Sequence, residues 1–175
     1  MARLILLLLL LLAPAAHAVE LAPPPNLIEI SPQLTTSGQP SAAWLSTLKA
    51  QGYDAVIYLA PSNVSDAVRD EPQLLAAQGV ELHHLPIAFG TPKDSDYEVF
   101  ATLLQRLAGE RKKVLVHCQV NMRASTLVFL YRVIVDRVPP EQAYEAVSRV
   151  WAPQGPWRSL MLGQLRRHGI AFDPF

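Results

Sequence analysis

Cys118 is the only cysteine in the chain, and Arg123 follows it after four residues, Gln119, Val120, Asn121 and Met122. A thiolate is a strong nucleophile. A guanidinium can grip two oxygens of a phosphate, and it does not lose its proton. The backbone N–H groups of residues 119–123 can meet the remaining oxygens, as they do in other anion-binding nests. A short loop bearing these groups is an oxyanion site with a nucleophile at its floor. The chemistry it suits is attack on phosphorus, or capture of an anion without reaction. A lone cysteine is more often a small buried hydrophobe. This one closes a strand, opens a loop and faces an arginine.

The elements on either side must position these groups. Val114, Leu115 and Val116 are three consecutive apolar residues, two of them β-branched, and predict a strand buried on both faces. Residues 126–135 are apolar all round except Arg132, which predicts a central buried helix. The segment 118–123 lies between them, at the carboxyl end of the strand and the amino end of the helix. That helix terminus favours an anion, and with Arg123 it favours thiolate over thiol. Such a loop needs a positive φ near its middle. Asn121 stands where glycine is usual, and asparagine tolerates that region better than most residues. Ser125 has two readings, a hydroxyl that donates to the thiolate and an N-terminal helix cap.

The set His117-Cys118, four residues, Arg123, then Ser125 resembles the signature loop of cysteine-dependent protein-tyrosine and dual-specificity phosphatases. It is most similar to the bacterial phosphatase-like family also found fused to β-lactamase-like hydrolases. Ser37-Gly38-Gln39-Pro40, residues 55–59, His84-Leu85-Pro86-Ile87 and Phe129-Leu130-Tyr131-Arg132 extend the likeness over most of 27–151. The resemblance implies Cys118 as nucleophile and Arg123 with residues 119–122 as the phosphate cradle. It also implies that His117 shapes the loop through hydrogen bonds. The common loop has five residues between cysteine and arginine, and this one has four, as rhodaneses do. Ser125 keeps the hydroxyl's spacing from the cysteine, but Ala124 separates it from Arg123.

Resembling phosphatases carry an acidic residue on an upstream loop to protonate the leaving oxygen. The matching loop, residues 86–92, has no acid, and Ala88 and Phe89 occupy the place. Asp94 and Asp96 are the nearest carboxylates. Asp94 is therefore the candidate general acid, with an N-cap as its plain alternative.

The rest of the pattern alternates strands and helices. Strands are expected over 27–30, 55–59 and 80–85. A helix capped by Ser41 should bury Trp44, Leu45 and Leu48 and stop at Gly52. Another helical stretch should follow residue 65 to about 78, interrupted near Pro72. A helix from Asp94 should bury Tyr97, Phe100, Leu103, Leu104 and Leu107. Two more should present Tyr144, Val147 and Trp151, then Leu160, Met161 and Leu165. This is an α/β pattern with a mainly parallel central sheet flanked by helices. Ligands in such folds bind beyond the carboxyl ends of the strands, where Cys118 falls.

Arg3, an apolar run over 4–13 and Ala16-His17-Ala18 read as a secretory signal over 1–18. The run is shorter than the roughly 20 residues a membrane span needs, and Pro14 breaks it. A periplasmic chain, 19–175, with an extended leader over 19–26 and no stable membrane insertion is the expectation. Fifteen basic and fifteen acidic residues cancel, which is not the balance of a nucleic-acid binder. One cysteine allows no internal disulfide. His83 and His84 invite a metal, but neighbours on a strand point to opposite faces. No metal or cofactor is expected, and the expected partner is a phosphorylated substrate of open class. The leading reading is phosphate monoester hydrolysis through a phosphocysteine. Its rivals are a catalytically weak anion-binding or regulatory module and a rhodanese-like sulfurtransferase.

Overall fold

The computed structural model describes residues 21–175. The export signal expected over 1–18, and the first two residues of the leader, lie outside the described residues. Among the described residues, five strands form one sheet in the order β1-β2-β5-β3-β4. They are β1 (Ile28–Ser31), β2 (Leu34–Ser37), β3 (Ala55–Tyr58), β4 (Glu81–His84) and β5 (Val114–His117). β1 and β2 are antiparallel, and every other pairing is parallel. Helices α1 (Ala42–Leu45), α2 (Glu71–Ala76), α3 (Asp94–Gly109), α4 (Met122–Ile134), α5 (Pro140–Ser148) and α6 (Gly155–Arg167) complete the expected α/β architecture.

Strand alternation divides the core. Ala55, Ile57, Val114 and Val116 face a large cluster with Phe100, Leu104 and Leu107 of α3, Leu127 and Leu130 of α4 and Trp157 of α6. Val56 and Leu115 face the other way, onto Trp44, Leu45, Leu48 and Leu75. Full burial of one such side chain contributes roughly 1.5–3 kcal/mol, so both faces of β5 are strongly specified. The same alternation sends His117 toward α2 and Cys118 toward α4, as expected of neighbours at a strand end.

Several boundaries differ from the sequence expectation. β2 was not expected, because Thr35, Thr36 and Ser37 look like a polar turn; all three are nevertheless buried between β1 and β5. α1 is a single turn. Ser41 does cap it, accepting from the Trp44 N–H at 3.2 Å, and turns carry the chain on to Gly52, which has φ 84°. No long helix follows residue 65. α2 has six residues, and Pro72 sits in its first turn, where the missing N–H costs nothing. α4 begins at Met122, four residues earlier than expected, so Met122 and Arg123 are helical. Trp151 lies beyond the end of α5. Among the described residues no helix is long and apolar enough to cross a membrane.

Candidate active site

Cys118 is fully buried at the carboxyl end of β5, and its N–H continues the β2 ladder by donating to the Ser37 carbonyl at 3.2 Å. The chain then turns through Gln119 and Val120 to Asn121, which has φ 71° and ψ 0°, the expected left-handed residue. α4 starts at once. Its first N–H groups have no acceptor within the helix, and its dipole favours negative charge beside the thiol.

Two segments hold this loop from behind. The first is the Ser37–Pro40 stretch. The Gln39 N–H donates to the Gln119 carbonyl at 2.9 Å. A Cβ on Gly38 would lie 2.7 Å from that same oxygen, so only glycine lets the two backbones approach. The second is the leader. The Gly38 N–H donates to the Pro25 carbonyl at 2.6 Å. Asn26 Nδ2 donates to the Val120 carbonyl at 2.9 Å, and Asn121 Nδ2 donates to the Asn26 carbonyl at 2.6 Å and to Thr36 Oγ1 at 3.0 Å.

Arg123, on the first turn of α4, is 4% exposed. Its Nε donates to the Ile87 carbonyl at 3.0 Å, and its guanidinium carbon stands 5.1 Å from the Phe89 ring centroid. Both contacts come from residues 86–92. With Nε held, the two terminal nitrogens are the donors left for an oxyanion. Phe89 is held in turn: its carbonyl accepts from Trp157 Nε1 at 2.8 Å, and its ring packs 5.9 Å from Trp151 and 5.8 Å from Trp157. The segment that carries the acid in resembling phosphatases here carries the support for the arginine.

His117 does not bond directly to the loop. Its Nε2 lies 2.8 Å from Glu71 Oε1 in a fully buried pair, and its ring stacks on Tyr58 with centroids 4.6 Å apart. Glu71 Oε2 accepts from Gln39 Nε2 at 3.0 Å, so His117 reaches the loop through Glu71 and Gln39. Tyr58 also stacks on His84. Its hydroxyl is pushed up to about 12, by burial first and then by the charges of Glu71 and Asp66, with Arg123 opposing.

Ser125 is not a helix cap. The N-cap position falls on Asn121, and the Ser125 hydroxyl donates to the Met122 carbonyl at 3.3 Å. Asp94 is not the N-cap of α3. Lys93 is the cap residue of α3, and Asp96 reaches back to accept its N–H at 2.8 Å. Asp94 instead takes Gln164 Nε2 on one oxygen and Arg167 Nη2 on the other. Arg167 first, then Gln164, hold its carboxyl below the usual range, the wrong direction for a proton donor. His83 pairs with Glu81, and His84 Nε2 lies 2.8 Å from the Ala60 carbonyl.

The sequence reading missed Asn26, Glu71 and Asp66. Asp66, on the loop after β3, accepts from Gln119 Nε2 at 3.0 Å. No local pattern links these positions to residues 118–123. They are joined to the loop only by the sheet order.

This sheet, with a cysteine-to-arginine loop between its central strand and a buried helix, is the fold of the protein-tyrosine and dual-specificity phosphatases. Comparison with solved structures agrees. A DUF442 candidate phosphatase from Shewanella putrefaciens superposes with a TM-score of 0.74 at 31% identity, covering 82% of this chain and 93% of that one. The chain belongs to that DUF442 family. Tk-PTP in its active form shares the fold, with a TM-score of 0.69 at 22% identity over 82% of this chain and 98% of its own. A β-lactamase hydrolase-like protein from Agrobacterium fabrum is 27% identical over 114 residues, 63% of this chain. The chain spans about a quarter, 26%, of that relative's length. No family model matches.

Proposed function

We propose that this protein hydrolyses phosphate monoesters with Cys118 as nucleophile. The observation that carries the reading is the fixed Arg123. Its side chain is buried, tied to the Ile87 carbonyl and laid against Phe89, and it opens the helix that follows the cysteine loop. The thiolate sulfur attacks phosphorus, forming the S–P bond as the ester P–O bond breaks and its electron pair leaves with oxygen. Arg123 and the N–H groups of Gln119, Val120, Asn121 and Met122 stabilise the charge on the transferring group. Water then attacks phosphorus, the S–P bond breaks, and inorganic phosphate leaves with the thiolate restored.

A panel of phosphoesters and thiosulfate against the purified mature protein tests this. Release of phosphate, with a phosphocysteine trapped on Cys118 by acid quench and mass spectrometry, is the expected result. Thiocyanate production from thiosulfate without phosphate release would replace the reading with a sulfurtransferase. Against that alternative, three helices and no strand follow the loop among the described residues. Binding of phosphate without turnover would leave an anion-binding module, the reading favoured by the acid-free 86–92 segment. The export signal over 1–18 belongs to the same proposal, and a periplasmic chain starting at Val19 is its signature.

A further inference from the structure

We propose that Asp66 donates the proton to the leaving oxygen, in place of the acid that residues 86–92 lack. This rests on the phosphatase reading above. Thiolate attack expels an alkoxide or aryloxide, and its departure is slow unless a nearby group protonates it. The question is which carboxylate can reach.

The obvious ones are committed elsewhere. Glu71 is 2% exposed, with one oxygen on His117 and the other on Gln39, behind the loop. Asp94 is bound by Gln164 and Arg167, and Asp96 by the Lys93 N–H. Residues 86–92 carry no carboxylate, and Ile87 and Phe89 are pinned to Arg123 and Trp157.

Asp66 differs on each point. It is exposed, on the loop beyond the carboxyl end of β3, the strand next to β5. One of its oxygens accepts from the side chain of Gln119, the residue that follows Cys118. The second oxygen has no partner among the described residues. The loop after β3 and the cysteine loop thus meet beyond the carboxyl ends of the neighbouring strands β3 and β5. Gln119 is the positioning residue: its amide donates to the carboxylate and holds it at the rim of the anion loop.

The step balances. As the S–P bond forms and the P–O bond breaks, the proton on Asp66 passes to the leaving oxygen, which departs as the neutral alcohol. The carboxylate then takes a proton from the attacking water, and phosphate leaves as the thiolate reforms.

The test compares wild type, Asp66→Asn, Asp66→Glu and Asp70→Asn on phenyl phosphate and p-nitrophenyl phosphate across pH. Asp70 is on the same loop and its side chain makes no cap bond, so it controls for charge alone. The expected result is a loss of about 10²–10⁴-fold in kcat on phenyl phosphate for Asp66→Asn, the usual worth of general acid catalysis. The loss should be smaller on p-nitrophenyl phosphate, whose leaving group needs less protonation. The basic limb of the kcat profile should flatten, and Asp66→Glu should restore part of it. Asp66→Asn that keeps the wild-type limb overturns the assignment and leaves the cysteine mechanism standing. Wild type that hydrolyses neither ester overturns both.

Discussion

Asn121 and Asn26, 95 residues apart in the chain, clasp each other. The Asn121 amide donates to the Asn26 carbonyl at 2.6 Å, and the Asn26 amide donates to the carbonyl of Val120, one residue before Asn121, at 2.9 Å. Asn121 is thus more than a substitute for a loop glycine. It takes the left-handed conformation, and its side chain ties the loop to the leader and to Thr36. Asn121→Gly separates the two roles, because glycine keeps the backbone and removes the amide. If only φ matters, the variant will match wild type. The clasp instead predicts weaker phosphate or vanadate binding by about tenfold, the equivalent of about 1.4 kcal/mol. Fluorescence titration measures it.

Cys118→Ser should abolish ester hydrolysis and leave the unfolding free energy within about 1 kcal/mol of wild type, since the swap is nearly isosteric. Arg123→Lys should fare almost as badly as Arg123→Ala. A lysine keeps the charge but cannot hold the Ile87 carbonyl and two phosphate oxygens at once. A turnover of p-nitrophenyl phosphate by Cys118→Ser equal to wild type would remove the nucleophile assignment.

Phe89→Ala tests the support under the arginine. A cation over an aromatic ring contributes roughly 0.5–2 kcal/mol, and this one sits in a half-buried wall with Trp151 and Trp157. Phosphate affinity should fall about twofold to thirtyfold, the same range expressed as an equilibrium constant. Phe89→Tyr should retain it. Isothermal titration with phosphate distinguishes this from general unfolding, which would abolish binding in both variants.

Much of this site is legible in the sequence because its parts are contiguous. Residues 114–123 carry the strand, the nucleophile, the left-handed asparagine and the arginine in one run, and apolar periodicity locates α3 and α6. What the sequence hides is what the sheet order brings in. Glu71 is a buried charge whose partner lies 46 residues away, and Asp66 bonds a residue 53 positions on. β2 escapes because its buried residues are hydroxylated. Thr36 accepts from Asn121 and Thr35 from Tyr53, so burial costs these side chains little and the polar pattern misleads. α4 starts early because a left-handed Asn121 lets helical bonding begin directly, with the Ser125 N–H donating to the Asn121 carbonyl at 2.9 Å.

Gly38→Ala should be more damaging than a surface glycine change. The added carbon would meet the Gln119 carbonyl at 2.7 Å and the Pro25 carbonyl at 3.0 Å, and both are backbone atoms that cannot turn aside. The loop must shift to admit it. Gly163→Ala is the control, since nothing lies within 4 Å of its Cβ. The expected pattern is lost hydrolysis with a folded circular-dichroism spectrum for Gly38→Ala and unchanged activity for Gly163→Ala.

Asp94→Asn decides between the acid expected from the sequence and the ion pair seen in the fold. Arg167 and Gln164 hold the Asp94 carboxyl below its ordinary value of 3.8. A carboxyl lowered by folding stabilises the native state at pH above the unfolded value. That contribution is lost as pH falls through the lower folded value. An amide in place of the carboxyl cannot ionise, so the variant should unfold at lower denaturant than wild type near neutral pH. The two midpoints should converge in acid, in a window that opens below 3.8. The effect will be small and salt-sensitive, because both side chains are largely exposed. The kinetic outcome matters more. With Asp94 ionised and turned toward α6, the basic limb of the pH–rate profile should survive the substitution intact. A flattened limb in Asp94→Asn, with the limb of Asp66→Asn unchanged, would return the proton donor to the start of α3.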